Sequence, residues 1–254
     1  MIRILAIGNS FSEDATCYLH GIAQAAGVEV QVLNLYIGGC PLEKHWRNIE
    51  TKQEPYQYQE NGVLTDRYGS IEEALEQEKW DFIVTQQASH DSGWINTYEP
   101  FLEWITGWLQ KKAPQAKLCL HETWAYEIDS DHWGFARYER SQQKMYDRLR
   151  ECYYSMAEKY GLELIPSGDI IQQMRGMEAF HVPSGGMSLC RDGFHMSFVY
   201  GRYLLACIWA KKLLGVSLKE NAFVPVSAFT DEQADPEMLA KIREIVDSYD
   251  MAGV

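Results

Sequence analysis

A short apolar strand, Ile2–Ile7, is read at the start of the chain, and it runs straight into Gly8-Asn9-Ser10-Phe11-Ser12. Glycine lets the backbone turn sharply after the strand. Ser10 then sits where the next helix begins, so main-chain N–H groups and the positive end of the helix dipole face any oxyanion formed there. Far downstream, Asp192-Gly193-Phe194-His195 places a carboxylate and an imidazole three residues apart. That spacing lets both side chains project from one side of a single turn. The chain order Ser, Asp, His is that of hydrolases whose nucleophile sits on a strand-to-helix turn. These two segments together supply the parts of a serine hydrolase.

Between them, strand and helix patterns alternate. Strands are read at Ile2–Ile7, Val28–Tyr36, Trp80–Thr85, Ala116–His121 and Leu162–Pro166, and helices at Ala15–Ala26, Ile71–Lys79, Phe101–Lys112, Arg137–Tyr160 and Phe198–Leu214. A further amphipathic helix is read at Pro236–Tyr249. Such alternation predicts an α/β fold with a doubly wound, flavodoxin-like parallel sheet of five strands and helices on both faces. One domain, residues 1–254, is expected. In that architecture ligands bind beyond the carboxyl ends of the strands, where the two motifs fall.

The roles follow from the chemistry of the residue types. A serine hydroxyl is a weak nucleophile until a base activates it. His195 is the expected base, taking the proton of Ser10 and returning it to the leaving alcohol. Asp192 would fix the imidazole tautomer through Nδ1. Ser12 and Asp14 are read as the residues able to cap the following helix. Three polar, aromatic stretches, Glu43–Arg67, His90–Tyr98 and Thr123–Phe135, are expected to overhang the edge that carries the motifs. Their aromatics as a group suggest a groove able to stack on sugar rings, with packing of the loops as the plainer role for each one, and His90, Trp124 and the adjoining Glu122 are the candidate substrate-binding residues.

The blocks GNSFS and DGFH resemble those of the SGNH (GDSL-type) hydrolases, whose first block is Gly-Asp-Ser-(Phe/Leu)-Ser and whose last is Asp-x-x-His. Asn9 stands where many members have Asp. The likeness is closer to a bacterial branch carrying GNSFS, IGGCPLE-like and QQAS-like segments, and it runs from Ile2 to about Leu214. The resemblance implies an oxyanion hole built from the Ser10 N–H, a glycine N–H after the second strand and an asparagine side chain after the third. Gly39 is the choice for the second donor, although an ordinary glycine turn reads the same way. No asparagine stands at the third place. Gln87 can present an equivalent amide, and Ser89 is its rival.

Charge and composition exclude other classes. The net charge of -13 disfavours nucleic acid or an anionic membrane as partner. The longest apolar runs are too short to span a bilayer. Six scattered cysteines with no CxxC pair point to buried thiols of a reducing compartment, so a cytoplasmic location is expected. No second histidine follows His121-Glu122 at zinc-site spacing, and neither GxGxxG nor a P-loop occurs, so no metal or cofactor is expected. The expected activity is hydrolysis of a small acyl ester, acetyl above all, on a carbohydrate or other small molecule through an acyl-enzyme. The alternatives are a thioesterase or lysophospholipase, and a catalytically silent carbohydrate-binding module on the same fold.

Overall fold

In the computed structural model, which describes residues 1–251, a seven-stranded sheet organises the chain. Strand β1 (Ile2–Gly8) lies at its centre, parallel to β2 (Val30–Tyr36) on one side and β5 (Phe82–Thr85) on the other. Beyond β5 come β6 (Lys117–His121) and β7 (Glu163–Ile165), both parallel. The five parallel strands thus follow the flavodoxin-like order β2-β1-β5-β6-β7. Ile4 to Ile7 are fully buried, because helices cover both faces of a parallel sheet and leave β1 no polar side.

The sheet does not stop at β2. Tyr56–Glu60 (β3) and Val63–Gly69 (β4) form an antiparallel hairpin that extends it. This corrects the expectation that Glu43–Arg67 overhangs the functional edge. Tyr56 and Tyr58 are buried in the core, and Leu42–Glu50 forms helix α3. The turn is Asn61-Gly62, with φ of 52° and 83°. Asn-Gly between strands is the strongest short-range hairpin signal, and it was legible in the sequence. A Cβ on Gly62 would meet the Cys17 carbonyl oxygen at 2.0 Å, so only glycine lets the hairpin tip reach that helix end.

The first predicted helix is two. Helix α1 (Ser10–Thr16) begins at once after the strand, and α2 (Leu19–Ala25) follows a break at Cys17-Tyr18. Asn9, rather than Ser12 or Asp14, caps α1, its side chain accepting from the Phe11 N–H at 3.0 Å. The remaining helices are α4 (Ile71–Gln77), α5 (Phe101–Lys112), α6 (Gln142–Tyr160), α7 (Ser167–Arg175), α8 (Tyr200–Leu214) and α9 (Pro236–Ser248). Helix α6 starts five residues later than its sequence suggests. Residues 133–138 form a tighter 3-10 turn, Glu139 and Arg140 take positive φ, and Ser141 caps the helix by accepting from the Lys144 N–H. Helix α8 packs against α1, α2 and α9, while α3 packs against α5. No helix among the described residues is long and apolar enough to cross a membrane. Five of the six cysteines are buried thiols.

One buried charge joins these layers. Asp14, on α1, has no exposed surface. Its carboxylate accepts from Arg202 Nε of α8 at 2.8 Å, from Arg191 Nη1 at 3.0 Å and from the Met196 N–H at 2.9 Å. Breaking a buried ion pair leaves an uncompensated charge, so Asp14→Ala should cost about 3–5 kcal/mol of stability. Urea unfolding measures it, and a loss below about 1 kcal/mol would show that the cluster carries little of the fold.

Candidate active site

Ser10 is the first residue of α1, at the carboxyl end of the central strand, where the parallel order reverses. The Asp192–His195 turn reaches it from the other end of the chain. His195 Nε2 lies 2.9 Å from Ser10 Oγ, and His195 Nδ1 lies 2.7 Å from Asp192 Oδ2. Asp192 Oδ1 also accepts from the main-chain N–H of Phe194 and of His195, at 3.2 and 2.8 Å. Partial burial raises the Asp192 carboxyl, but the bonds from His195 and the two N–H groups outweigh it and hold the group below its usual range. An ionised carboxylate only accepts, so the proton of the imidazole sits on Nδ1. Nε2 is left to accept from the Ser10 hydroxyl.

The turn that carries His195 is fixed from below. Gly193 has φ of 83°, and a Cβ there would lie 2.8 Å from Ser130 Cα. Its carbonyl accepts from the Glu127 N–H at 2.7 Å, and the Phe194 carbonyl accepts from Trp124 Nε1 at 2.7 Å. Trp124 stacks flat on Phe11, centroids 4.0 Å apart, and is fully buried. It therefore supports the floor of the site instead of forming a substrate wall, which corrects the sequence expectation.

Asn9 emerges as a structural centre that its place beside Ser10 had not revealed. Its Oδ1 accepts from Gln86 Nε2 at 2.9 Å, and its Nδ2 donates to the Cys40 carbonyl at 3.1 Å. The latter bond needs a donor, which an aspartate would lack. Gln86 Oε1 in turn accepts from His121 Nδ1 at 2.7 Å, and His121 Nε2 accepts from Ser167 Oγ at 2.9 Å. Burial holds the His121 imidazole down at about 3, so it is neutral and this chain of donors has one direction. The segments after β1, β2, β5 and β7 and the end of β6 are thereby locked together under the site.

The other predicted residues fall in different places. Gly39 is exposed, with φ of 61°, in the turn closed by the Cys40 N–H on the Ile37 carbonyl. Gln87 is fully buried, and both ends of its amide are engaged. Oε1 accepts from the N–H groups of Leu42 and Ala88, at 3.0 and 2.8 Å, and Nε2 donates to the Thr97 carbonyl at 2.8 Å. Gln87 thus fastens the α3 entry to the Trp94–Tyr98 loop, and its amide is not held out as a donor. Ser89 is half-buried, 2.8 Å from the hydroxyl of buried Tyr126. His90 lies near the surface against Trp133 and His132.

Glu122 is the second correction to the substrate wall, since its side chain has no exposed surface. Its Oε2 accepts from the Asp169 N–H at 3.0 Å. Burial, reinforced by the neighbouring Asp169 carboxylate, keeps Glu122 protonated well above the ordinary carboxylate range. A folded protein that holds this proton more tightly than the unfolded chain loses stability as pH rises from the ordinary glutamate range towards the folded pKa. Glu122→Gln should therefore flatten the decline of unfolding midpoint as pH rises above about 5. Equal slopes in urea titrations of the two proteins would show that Glu122 is ionised in both states.

Residues 3–239 match the domain of unknown function DUF4886. A DUF4886 family protein from Bacteroides uniformis is 34% identical over 97% of this chain and 93% of its own, with a TM-score of 0.86. An acetylxylan esterase from Geobacillus stearothermophilus shares the fold at 14% identity, covering 85% of this chain and 95% of its own, TM-score 0.57. A lipase/acylhydrolase from Enterococcus faecalis does so at 17% identity, over 85% and 96%, TM-score 0.53. No curated protein matches the chain. The chain belongs to the DUF4886 family and has the fold of the SGNH hydrolases.

Proposed function

We propose that the protein is a serine esterase that removes small acyl groups, acetyl above all, from carbohydrate. The observation that carries this reading is the unbroken line Asp192–His195–Ser10, with bonds of 2.7 and 2.9 Å and a tautomer that leaves Nε2 free to take the serine proton. His195 removes that proton as Ser10 Oγ attacks the ester carbonyl, then delivers it to the leaving alcohol. Water, activated by the same imidazole, releases the acid from the acyl-enzyme. An acetylxylan esterase among the structures of this fold agrees with the acetyl-sugar reading. Polar and aromatic groups around the site, His90, His132 and Trp133, support it over a long-chain lipase.

The oxyanion would be held by the N–H of Ser10, one of those a helix start leaves without an internal acceptor, and by that of Gly39. For the third donor, Ser89 replaces Gln87. A buried phenol that only accepted from Ser89 would leave its own proton unsatisfied. In this reading Tyr126 donates to Ser89 Oγ, and burial keeps the phenol protonated. The serine proton is then free to point at the substrate.

Two measurements test this reading. Ser10→Ala should lower turnover of acetyl esters by roughly 10⁴–10⁶-fold with the unfolding midpoint unchanged, and a fluorophosphonate should label the native chain once, at Ser10. Near-normal hydrolysis by the variant, or labelling that survives it, would refute the assignment. Ser89→Ala should lower kcat by roughly 10²–10³ with little change in KM. Gln87→Ala should instead cost about 1–3 kcal/mol of stability, by orphaning buried N–H groups, while the folded fraction keeps its kcat. The reverse pattern would restore Gln87 to the oxyanion hole.

A further inference from the structure

Most aromatic side chains of the loops near the site are buried, but Trp133 is 64% exposed. It lies at the end of a continuous series of rings that starts at the catalytic imidazole. Between ring centroids, Phe194 lies 4.0 Å from His195, His132 lies 4.6 Å from Phe194, and Trp133 lies 5.5 Å from His132. His90 closes the group at 4.9 Å from Trp133.

The backbone beneath this indole is built with care for its position. Arg137 donates to the His90 carbonyl at 2.9 Å, and the Tyr138 hydroxyl donates to the same oxygen at 3.2 Å. A Cβ on Gly134 would stand 2.6 Å from His90 Cβ, so only glycine lets the two loops close to this distance. The Gly134 N–H donates to His132 Nδ1 at 3.0 Å, which puts the proton of a neutral His132 on Nε2. Burial, together with the neighbouring His90 and His195, lowers His132 and favours that neutral form. An exposed indole on a pinned backbone, beside an outward N–H donor, is preorganised for a flat ligand that also carries hydroxyls.

The direction of the rings says which part of the substrate arrives there. The leaving oxygen must meet His195 Nε2 to receive its proton, so the alcohol half of the ester lies on the His195 side, where the rings run. We propose that Trp133 is a specificity residue that stacks on the pyranose ring of the leaving alcohol, with His132 Nε2 donating to a ring hydroxyl. This rests on the esterase reading of Ser10, Asp192 and His195. Trp133 would thus act on acylation and not on hydrolysis of the acyl-enzyme, since the sugar has left by then.

Kinetics on two acetyl donors test it: acetylated xylo-oligosaccharide, and vinyl acetate, whose leaving group is too small to reach the indole. Trp133→Ala should lower the ratio of kcat/KM for the sugar ester to that for vinyl acetate by about tenfold, and Trp133→Phe should restore much of it. An unchanged ratio overturns the proposal, as does a selective loss on vinyl benzoate, which would make Trp133 a seat for the acyl group. A direct titration separates this from failure of the esterase reading. In Ser10→Ala, unacetylated xylo-oligosaccharide should change tryptophan fluorescence, and the change should vanish in Ser10→Ala/Trp133→Ala. If no ester is turned over but that signal appears, the esterase reading falls and the sugar platform stands; if the signal is absent, the platform falls.

Discussion

The burial of Asp14 is the constraint on which the site depends. A carboxylate with no access to water must be met by charge and by donors, and here they come from distant parts of the chain. Arg202 belongs to α8, and Arg191 and the Met196 N–H flank the turn that carries Asp192 and His195. Asp14 itself lies four residues after Ser10 on α1. One desolvated group therefore sets the distance between Ser10 and His195, which are 185 positions apart in the chain. Arg191 also bonds the Met196 carbonyl, which closes the turn on itself.

A second polar network lies under the loops. Asn9, Gln86, His121 and Ser167 hand hydrogen bonds along a single direction, and all are wholly or nearly buried. Such a chain is stable only when every member is satisfied, so each loop end must adopt one position. Asn9 also donates to the Cys40 carbonyl, next to the Gly38-Gly39 turn. The Asn9 amide thus fastens the turn that carries Ser10 to the Gly38-Gly39 loop. Above this floor, Trp124 and Phe11 stack under the Asp192–His195 turn, while Trp133 stays out in solvent. Residues of one chemical type have divided between buried support and exposed surface according to depth.

The sequence by itself determined the parallel sheet, the place of Ser10 at the end of β1 and the pairing of Asp192 with His195. Those features rest on local rules: apolar runs mark buried strands, a glycine turn ends one, and a three-residue spacing puts two side chains together. It also contained the Asn61-Gly62 turn, and hence the hairpin that widens the sheet. Burial and hydrogen-bond direction were not legible, because they depend on residues distant in sequence. Nothing in the TQQAS segment says that the Gln87 amide is spent on Leu42, Ala88 and Thr97, or that the Ser89 hydroxyl meets that of buried Tyr126. Nothing near Glu122 or Trp124 shows that both are sealed inside while Trp133 is not. Those choices belong to the tertiary structure, because a polar or aromatic side chain takes its role from what surrounds it once water has been excluded.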